Sequence, residues 1–259
     1  MAERIILTGA SSGIGAALAQ EYSVPGASML LIARNAERLS DVADAVRAKG
    51  STVEIEAIDV TDEPAMKAAI EAFDDDAPVT IVIANAGIAL GRRKGEPEAP
   101  GVARQQVEIN LMGMLHTIEP MLPRLIARKS GRIAMIGSIA GLRPQADIPT
   151  YSATKAAVHG YGEAIRSWLR GHGVSVTVIS PGFIKTPMAD KHHGPKPFEI
   201  PAEKAARIMA RAIKNRRARL VLPWPWSFLL WWEQLFPARI SDWFERMSAA
   251  DVGGGSDKP

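Results

Sequence analysis

Residues 4–15 read RIILTGASSGIG, an apolar run that leads directly into a loop with three glycines and two serines. The run is typical of a buried strand, and glycines let the backbone turn sharply and approach a bound group closely. Where the chain then enters a helix, free amides and the positive end of the helix dipole attract a phosphate. The glycine gaps of four and two differ from the G-x-G-x-x-G fingerprint, but the position after the first strand favours a dinucleotide over a purely structural turn. We predict that this loop binds a cofactor, through Gly9, Ser11, Ser12, Gly13, Ile14 and Gly15.

The rest of the chain alternates apolar runs with segments of helical period. The runs predict strands at 4–8, 27–33, 52–58, 79–84, 131–137, 174–180 and 218–222. Helices are predicted between them, at 13–23, 35–49, 62–73, 102–128, 150–171 and 201–215. Most of these strands are continuously apolar, as expected where both faces of a sheet are covered. The pattern therefore predicts an α/β fold, a Rossmann-like, doubly wound parallel sheet of about seven strands with helices on both faces, in one domain over residues 1–222.

Composition excludes several classes of site. The 259 residues include 31 basic and 28 acidic side chains, a net charge of +3, which argues against a nucleic-acid partner because such proteins concentrate positive charge on one face. The sequence contains no cysteine, which excludes disulfides, thiolate metal sites and a cysteine nucleophile. The adjacent His192 and His193 lie in a Gly/Pro-rich stretch and are expected to face solvent, so no metal site is predicted. No secretory signal precedes the first strand, and we expect a cytoplasmic location.

The residue after the second predicted strand indicates which dinucleotide is bound. An acidic residue about 20 positions beyond the glycine loop would bind the ribose 2′-hydroxyl of NAD, but this chain has Arg34 there. A guanidinium suits a 2′-phosphate, so we predict that NADP(H) is preferred over NAD(H), with Ser11 or Ser12 as supporting donors. The alternative is that Arg34 opens the next helix and faces water.

A phenol and an ammonium lie four residues apart, at Tyr151 and Lys155. On a helix this spacing puts both on one face, and a nearby cation is expected to lower the tyrosine pKa from about 10 toward neutrality. Such a pair suits general acid and base catalysis. Because the spacing alone also fits an exposed surface pair, the interpretation depends on the other motifs.

Three further motifs follow the carboxyl ends of predicted strands, namely Asp59-Val60, Asn85-Ala86-Gly87 and Ser138. With the glycine loop and the Tyr151/Lys155 pair, they make the chain resemble the short-chain dehydrogenase/reductase family over residues 4–222. The resemblance implies that Asp59 and Val60 contact the adenine ring. It also implies that the turn Asn85, Ala86 and Gly87 lies beside the cofactor ribose.

The same resemblance implies a catalytic set and a segment that binds the nicotinamide. Ser138 is expected to hydrogen-bond the carbonyl oxygen, Tyr151 to deliver a proton, and Lys155 to hold the nicotinamide ribose and lower the tyrosine pKa. Asn110, within the long fourth helix, is expected to hold a water of a proton relay. The segment that holds the nicotinamide carboxamide is expected to include Pro181, Gly182, Ile184 and Thr186.

The implied activity is that of an NADP(H)-dependent oxidoreductase that interconverts an alcohol with a ketone or aldehyde, as a homodimer or homotetramer. Apolar residues in the stretch 187–200, where the family has a mobile substrate lid, favour a hydrophobic or lipid-like substrate. An epimerase or dehydratase on the same fold stays open, as does a nucleotide-binding regulator without turnover. The complete set of catalytic residue types argues against the regulator.

An aromatic extension follows the last predicted strand, over residues 223–252. Five of the six tryptophans lie between 220 and 247, but prolines and a glutamate interrupt the stretch, so it is not expected to span a bilayer. Apolar residues from Phe236 to Met247 recur at helical spacing. The extension either packs on its own domain, on the pocket or on a second subunit, or makes peripheral membrane contact together with the basic residues Lys214, Arg216, Arg217 and Arg219. Residues 253–259 are Gly-rich and polar and are expected to be disordered.

Overall fold

Seven parallel strands form the central sheet of the computed structural model, which describes residues 3–92, 96–192 and 194–228. The strands are β1 Arg4–Thr8, β2 Ser28–Ile32, β3 Thr52–Glu56, β4 Ile81–Ala84, β5 Gly131–Ile136, β6 Val174–Pro181 and β9 Arg219–Leu222. Their spatial order is β3-β2-β1-β4-β5-β6-β9, and each neighbouring pair is parallel. Two short strands, β7 Ile184–Lys185 and β8 Ile200–Pro201, form a separate parallel pair.

Helices connect the strands and cover the sheet. They are α1 Gly13–Glu21, α2 Ala36–Arg47, α3 Glu63–Asp76, α4 Val102–Val107, α5 Gly113–Ile118, α6 Leu122–Arg128, α7 Pro149–Leu169, α8 Pro187–Asp190 and α9 Ala202–Lys214. Asn35 and Asp62 begin α2 and α3, because their side chains accept hydrogen bonds from main-chain N–H groups of the first turn.

Each face of the sheet has its own hydrophobic core. Along β1, Ile5 and Leu7 point to the side covered by α1, α2 and α9, whereas Ile6 points to the side covered by α3, α5, α6 and α7. Both sides of the central strands are therefore buried, as the continuous apolar runs predicted, whereas the edge strand β3 exposes Thr52, Glu54 and Glu56.

The predicted doubly wound parallel sheet is confirmed, and every predicted strand is present with its ends moved by at most two residues. The predicted helix at 102–128 has the right bounds, but it is not a uniform α-helix. A π-helical turn at Glu108–Met112 and a 3₁₀ turn at Glu119–Met121 divide it, the second where Pro120 and Pro123 lack the N–H groups that a continuous helix needs. The pair β7 and β8 was not predicted, because two-residue strands carry no periodic signal.

Most of the aromatic extension is outside the described residues. These end at Phe228, so the predicted amphipathic helix from Phe236 to Met247 and the tail at 253–259 are not covered by the structure. Residues 225–228 are helical. A search of the helices within the described residues finds none suited to spanning a bilayer.

Candidate active site

A cavity of about 680 Å³ opens at the carboxyl edge of the sheet. The strand order reverses between β1 and β4, and ligands of doubly wound sheets bind at such a reversal. All the predicted site residues line this cavity except two, Gly15 and Asn110, which lie behind its wall.

The glycine loop has the backbone geometry that an anion-binding turn needs. Gly9 and Gly13 have φ angles of +66° and +54°, in the left-handed region that favours glycine. A Cβ on Gly9 would lie 2.8 Å from the Cα of Ala86, and a Cβ on Gly15 would overlap the carbonyl oxygen of Gly9. Gly15 therefore allows close packing of α1 against the loop. Ser12 begins α1 without a side-chain cap, so its hydroxyl does not occupy the N–H groups of the first turn.

Two arginines line the end of the cavity beyond β2. Arg34 is largely exposed, and its Nη1 lies 3.6 Å from Oδ2 of Asp59. Arg38, one helical turn later on α2, also lines the cavity, and sequence reasoning missed it. The available signal was a second guanidinium in the first turn of the helix that begins directly after Arg34 and Asn35. Asp59 is held by the main-chain N–H and hydroxyl of Thr61, which donate to its Oδ1.

The turn after β4 is fastened to β1. The Nδ2 of Asn85 donates to the main-chain oxygens of Thr8 and Gly9, and the Thr8 hydroxyl accepts from the main-chain N–H of Asn85. This cross-link holds Ala86 and Gly87 at the cavity wall. A Cβ on Gly87 would lie 3.1 Å from Oδ1 of Asn110 and 3.4 Å from Nζ of Lys155, so glycine leaves open the space between these side chains.

Ser138 begins a 3₁₀ turn, Ile139–Gly141, directly after β5. Its Oγ accepts a hydrogen bond from the main-chain N–H of Ala140 at 3.1 Å, which fixes the hydroxyl at the cavity wall. The turn packs against α7, where a Cβ on Gly141 would come within 2.6 Å of the main-chain oxygen of Lys155. This contact sets Ser138 beside the helix that carries Tyr151 and Lys155.

The expectation that the pKa of Tyr151 lies below its ordinary value is wrong for the structure. Burial raises the pKa of Tyr151, and a hydrogen bond from Ser138 opposes that rise without cancelling it. Nζ of Lys155 lies 5.7 Å from the centroid of the tyrosine ring. The sequence pattern predicted that Lys155 lies near Tyr151, but it did not predict the burial of the phenol. Burial has the larger effect on the pKa of Tyr151.

Lys155 is 4% exposed, and its Nζ donates to the main-chain oxygen of Ile136 at 2.8 Å. Burial lowers the pKa of Lys155 to about 8, because the charged form loses its hydration. Lys155 can therefore gain and lose a proton close to neutral pH.

Asn110 is 1% exposed and lies on the π-helical turn that divides the predicted fourth helix. Its Oδ1 accepts from the main-chain N–H of Ile88, and its Nδ2 donates to the main-chain oxygen of Ile88 and the hydroxyl of Thr154. Asn110 thus ties the turn after β4 to α7. Both of its N–H donors are used, so the predicted binding of a relay water depends on the remaining acceptor capacity of Oδ1.

The segment after β6 closes the cavity from above the glycine loop. Thr186 begins α8, with its hydroxyl accepting from the main-chain N–H of Ala189, and a Cβ on Gly13 would lie 3.1 Å from its methyl group. On the other side of the segment, a Cβ on Gly182 would lie 2.6 Å from Nε1 of Trp226. Trp226 also packs edge-on against Phe198, with ring centroids 6.0 Å apart. The start of the aromatic extension therefore contacts both the nicotinamide segment and the predicted lid.

The part of the cavity beyond Tyr151 is mainly apolar. Its lining residues are Ile88, Ala89, Ile139, Ala140, Gln145, Ile148, Phe183, Pro187, Met188 and His192. The expectation that His192 faces solvent is wrong, because its ring lies against Phe183 with centroids 5.1 Å apart. Gln145 and Ile148 were also missed, since no sequence pattern shows which loop side chains return to a cavity. His193 is outside the described residues.

The basic residues that were expected to meet lipid headgroups lie close to the amino end of β9. Arg216 donates to the main-chain oxygen of Gly173, which precedes β6, and Arg219 pairs with Glu163 at 2.5 Å. Trp224 follows the other end of β9, at the carboxyl edge of the sheet. Arg219 and Trp224 are thus separated along the strand, and headgroup contact by the basic residues stays a prediction because residues 229–259 are outside the described part of the chain. Within residues 3–92, 96–192 and 194–228, no group of His and acidic side chains is arranged to hold a metal ion.

Known proteins match the chain over the region that forms this cavity. The family described as short chain dehydrogenase matches residues 3–196. An uncharacterized oxidoreductase of Myxococcus xanthus is 34% identical over 220 residues, which cover 85% of this chain and 87% of that protein. Serine 3-dehydrogenase of Rhizobium radiobacter is 36% identical over 188 residues, which cover 72% and 74%.

Solved structures share the fold. A short-chain dehydrogenase from Sphingobium yanoikuyae in complex with NADPH matches with a TM-score of 0.77 at 23% identity, covering 95% of this chain and 93% of that one. A short chain dehydrogenase from Mycobacterium paratuberculosis bound to NAD matches with a TM-score of 0.76 at 22% identity, covering 85% and 96%. The fold thus occurs with either dinucleotide.

Proposed function

Because the chain belongs to the short-chain dehydrogenase/reductase family, we propose that it is an NADP(H)-dependent oxidoreductase that interconverts a hydrophobic alcohol with its ketone or aldehyde. One observation carries the proposal. Ser138, Tyr151 and Lys155 line the same cavity as the glycine loop, so groups for proton transfer lie beside a dinucleotide cradle.

The cavity residues fit a nicotinamide dinucleotide. Side chains at Gly9 and Gly15 would overlap the backbone, and the uncapped first turn of α1 offers N–H groups to a pyrophosphate. Asp59 and Val60 would hold the adenine end, and Pro181, Gly182, Ile184 and Thr186 the nicotinamide end. When bound, NADPH supplies the hydride that the carbonyl carbon accepts.

The preference for NADP(H) rests on Arg34 and Arg38. Both line the adenosine end of the cavity, where a 2′-phosphate would accept charge-assisted hydrogen bonds. The Arg34 to Asp59 pair is solvent-exposed, and such pairs contribute only ~0–1 kcal/mol. Arg34 can therefore leave Asp59 for a phosphate at little cost.

Tyr151 acts as the proton donor in carbonyl reduction. Its raised pKa keeps the phenol protonated before the reaction, and the neighbouring Ser138 hydroxyl places a second donor at the same carbonyl oxygen. The Lys155 ammonium stabilises the tyrosinate left after proton transfer. No hydrogen bond among the described residues uses the other two N–H donors of Lys155, which are available for the cofactor ribose and for a relay water.

The lining beyond Tyr151 favours an uncharged, apolar substrate. Among the described residues on that side, Gln145 and His192 are polar, and none is Lys or Arg except Lys155 itself. A substrate carboxylate would therefore lack a dedicated cationic partner. A substrate such as serine carries a carboxylate, so it would need a cationic partner that the described residues of this part of the cavity do not offer.

Two surface properties belong to the same proposal. Trp224 and Phe228 are 77% and 56% exposed, and the Trp226 to Phe198 contact links their segment to the lid, which supports peripheral membrane contact at the cavity mouth. Exposed apolar side chains on α4 and α7, Val107 and Trp168, support assembly as a homodimer or homotetramer.

The experiment that tests the function is NADPH oxidation across a carbonyl panel. The panel pairs apolar ketones and aldehydes with keto acids of matched chain length. We expect turnover with the apolar members and at least ~10-fold lower kcat/KM for the acids, since an unpaired buried charge costs several kcal/mol. Tight NADPH binding without turnover of any carbonyl would instead indicate a regulator, and a preference for keto acids would refute the proposed substrate class.

A further inference from the structure

His159 lies on α7, four residues after Lys155 and eight after Tyr151, and the proposed reaction gives it no role. The spacing puts all three side chains on one face of the helix. The ring of His159 is mostly buried, between the turn that follows β5 and the carboxyl end of β6. A histidine in this position either only packs in the core or holds neighbouring catalytic groups in place. Its contacts distinguish these two roles.

The Nε2 atom of His159 contacts both the turn after β5 and the end of β6. It lies 3.1 Å from the main-chain oxygen of Ser138 and 3.3 Å from Oγ of Ser180. A carbonyl oxygen can only accept, so Nε2 carries the proton and donates it. Ser180 immediately precedes the Pro181-Gly182 segment, so one N–H group joins the Ser138 turn to the nicotinamide segment.

The surroundings keep the imidazole neutral. Burial lowers the pKa of His159; the hydrogen bond to Ser138 and the charge of Glu163 oppose that effect, whereas Lys155 and Arg219 add to it. Glu163 is itself held by Arg219 and Arg166. A neutral ring with Nε2 protonated satisfies the observed contacts without placing a second cation beside Lys155.

The backbone around Ser138 is built to accept this bond. The main-chain oxygen of Ser138 also accepts from the N–H of Gly141, so the histidine supplies its second partner. Gly137 leaves space for the ring, since a Cβ there would lie only 2.9 Å from Nε2. The absence of a side chain at position 137 is thus linked to the presence of the imidazole at 159.

We infer that His159 is a positioning residue, whose Nε2–H holds the Ser138 turn in the orientation that aims the serine hydroxyl at the substrate carbonyl. The inference rests on the proposed function and extends it to a residue that does not touch the substrate. Small misplacements of catalytic groups are costly, because an error of about 1 Å can reduce a rate by ~10²-fold.

The test compares two substitutions of similar length. His159→Gln retains an N–H donor close to the position of Nε2, whereas His159→Met removes the donor but keeps an unbranched side chain of similar reach. We expect kcat to fall ~10-fold or more in His159→Met and to be largely recovered in His159→Gln, with the Kd for NADPH changed by less than ~2-fold in both. Equal kcat values in the two variants, whether normal or reduced in parallel with thermal stability, would overturn the inference.

A second perturbation leaves the histidine intact, in case His159→Met does not fold. Gly137→Ala places a methyl group against Nε2, and Gly160→Ala is its control, because a Cβ on that exposed glycine has nothing within 4 Å. We expect Gly137→Ala to lower kcat without weakening NADPH binding, and Gly160→Ala to leave kcat unchanged. Equal kcat in both alanine variants would count against the inference.

A readout without catalysis separates this inference from the proposed function. If the wild-type protein reduces no carbonyl, the proposed function fails, but hydrogen exchange in a peptide covering residues 137–142 still reports on the turn. Faster exchange in His159→Met than in His159→Gln supports the positioning role. Equal exchange in the wild-type protein and both variants refutes it.

Discussion

The ammonium of Lys155 is buried, and its pKa lies at about 8 instead of the ordinary 10.5. Between these two values the unfolded chain binds a proton that the folded protein does not, so the free energy of unfolding rises with pH across this window. Below pH 8 Lys155 is charged in both states, and the full cost of burying its charge lowers the free energy of unfolding. At ~1.4 kcal/mol per pH unit, the gap corresponds to ~3 kcal/mol.

We therefore predict that the stability difference between the wild-type protein and Lys155→Met depends on pH. Relative to the variant, the wild type should gain ~2–3 kcal/mol between pH 7 and pH 10, because it loses its buried charge. Urea unfolding at both pH values measures the difference, and the comparison removes the contributions of other titrating groups. A difference that stays constant would show that folding does not lower the pKa of Lys155.

The two arginines at the adenosine end give a prediction about cofactor choice. Arg34→Asp should weaken NADPH relative to NADH by ~10–100-fold, since a lost bond to a charged group costs ~1.5–3 kcal/mol and the new carboxylate repels the phosphate. Arg38→Ser should shift the ratio in the same direction by a smaller factor. Fluorescence titration with both dinucleotides measures the two affinities.

A charge-matched control excludes a general electrostatic effect. Arg211 is exposed on α9 and does not line the cavity, so Arg211→Asp should leave the ratio of NADPH to NADH affinity unchanged. An unchanged ratio in Arg34→Asp would contradict the assignment of the 2′-phosphate site.

At the scale of single residues, spacing identified the glycine loop, Arg34, Ser138, Tyr151 and Lys155, because each occupies a fixed place relative to a strand end. It missed Arg38, Gln145 and His192. Their place in the cavity depends on how helices and loops return to the sheet edge, and no local pattern encodes that path. The pKa of Tyr151 was also mispredicted, because burial depends on the packed structure.

The position of α7 depends on a close contact with β6. A Cβ on Gly162 would overlap Cγ2 of Val178 and lie 3.2 Å from the sulfur of Met135, so only glycine lets the catalytic helix approach this near to the sheet. Two residues earlier, Gly160 faces open space. The two glycines thus form a matched pair on one helix.

Alanine at these two positions should have opposite effects on stability. Gly162→Ala overfills a packed contact and is expected to cost ~1–3 kcal/mol, with reduced turnover because α7 carries Tyr151 and Lys155. Gly160→Ala is expected to stabilise the protein by ~0.5–1 kcal/mol through helix propensity. Urea unfolding measures both, and equal shifts would show that the contact with Val178 does not fix the helix.

At the scale of elements, the apolar runs predicted the strands, whereas helix irregularities were not predictable. The segment 102–128 has a continuous helical period, yet the chain forms a π turn at Asn110. There the side chain bonds Ile88 and Thr154 instead of facing solvent. These hydrogen bonds join residues that are far apart in sequence, so no local pattern predicts them. π turns often occur at functional sites, which agrees with the place of Asn110 beside Gly87 and Lys155.

For the whole molecule, the parallel sheet with helices on both faces followed from strict β/α alternation, because parallel strands need helical crossovers. The strand order, with its reversal between β1 and β4, was not predicted. The positions of basic and aromatic residues on the surface could not be predicted from the β/α alternation. The basic residues and Trp224 are neighbours in sequence, but β9 lies between Arg216 and Trp224. We therefore expect membrane contact, if it occurs through Trp224 and Phe228, to depend on insertion of aromatic side chains and little on salt.

Vesicle binding tests this expectation. The full-length protein should bind neutral phosphatidylcholine vesicles, and Trp224→Ser with Phe228→Ser should reduce partitioning by ~10-fold or more, since each large aromatic side chain contributes ~1.5–3 kcal/mol when buried. Val24→Ser is the control, because Val24 is an exposed apolar residue, at 50%, between α1 and the start of β2, away from the carboxyl edge of the sheet. No binding by the wild-type protein, or an equal loss in the control, would remove the membrane proposal.

The central claim is that Tyr151 donates the proton during hydride transfer from NADPH to a carbonyl. Tyr151→Phe removes the hydroxyl and keeps the ring, so NADPH binding should change by less than ~2-fold while kcat falls by ~10²–10⁴-fold. The measurement is the steady-state loss of NADPH absorbance with the best carbonyl of the panel, for the wild-type protein and the variant at the same pH. Near-normal turnover by Tyr151→Phe would contradict the account.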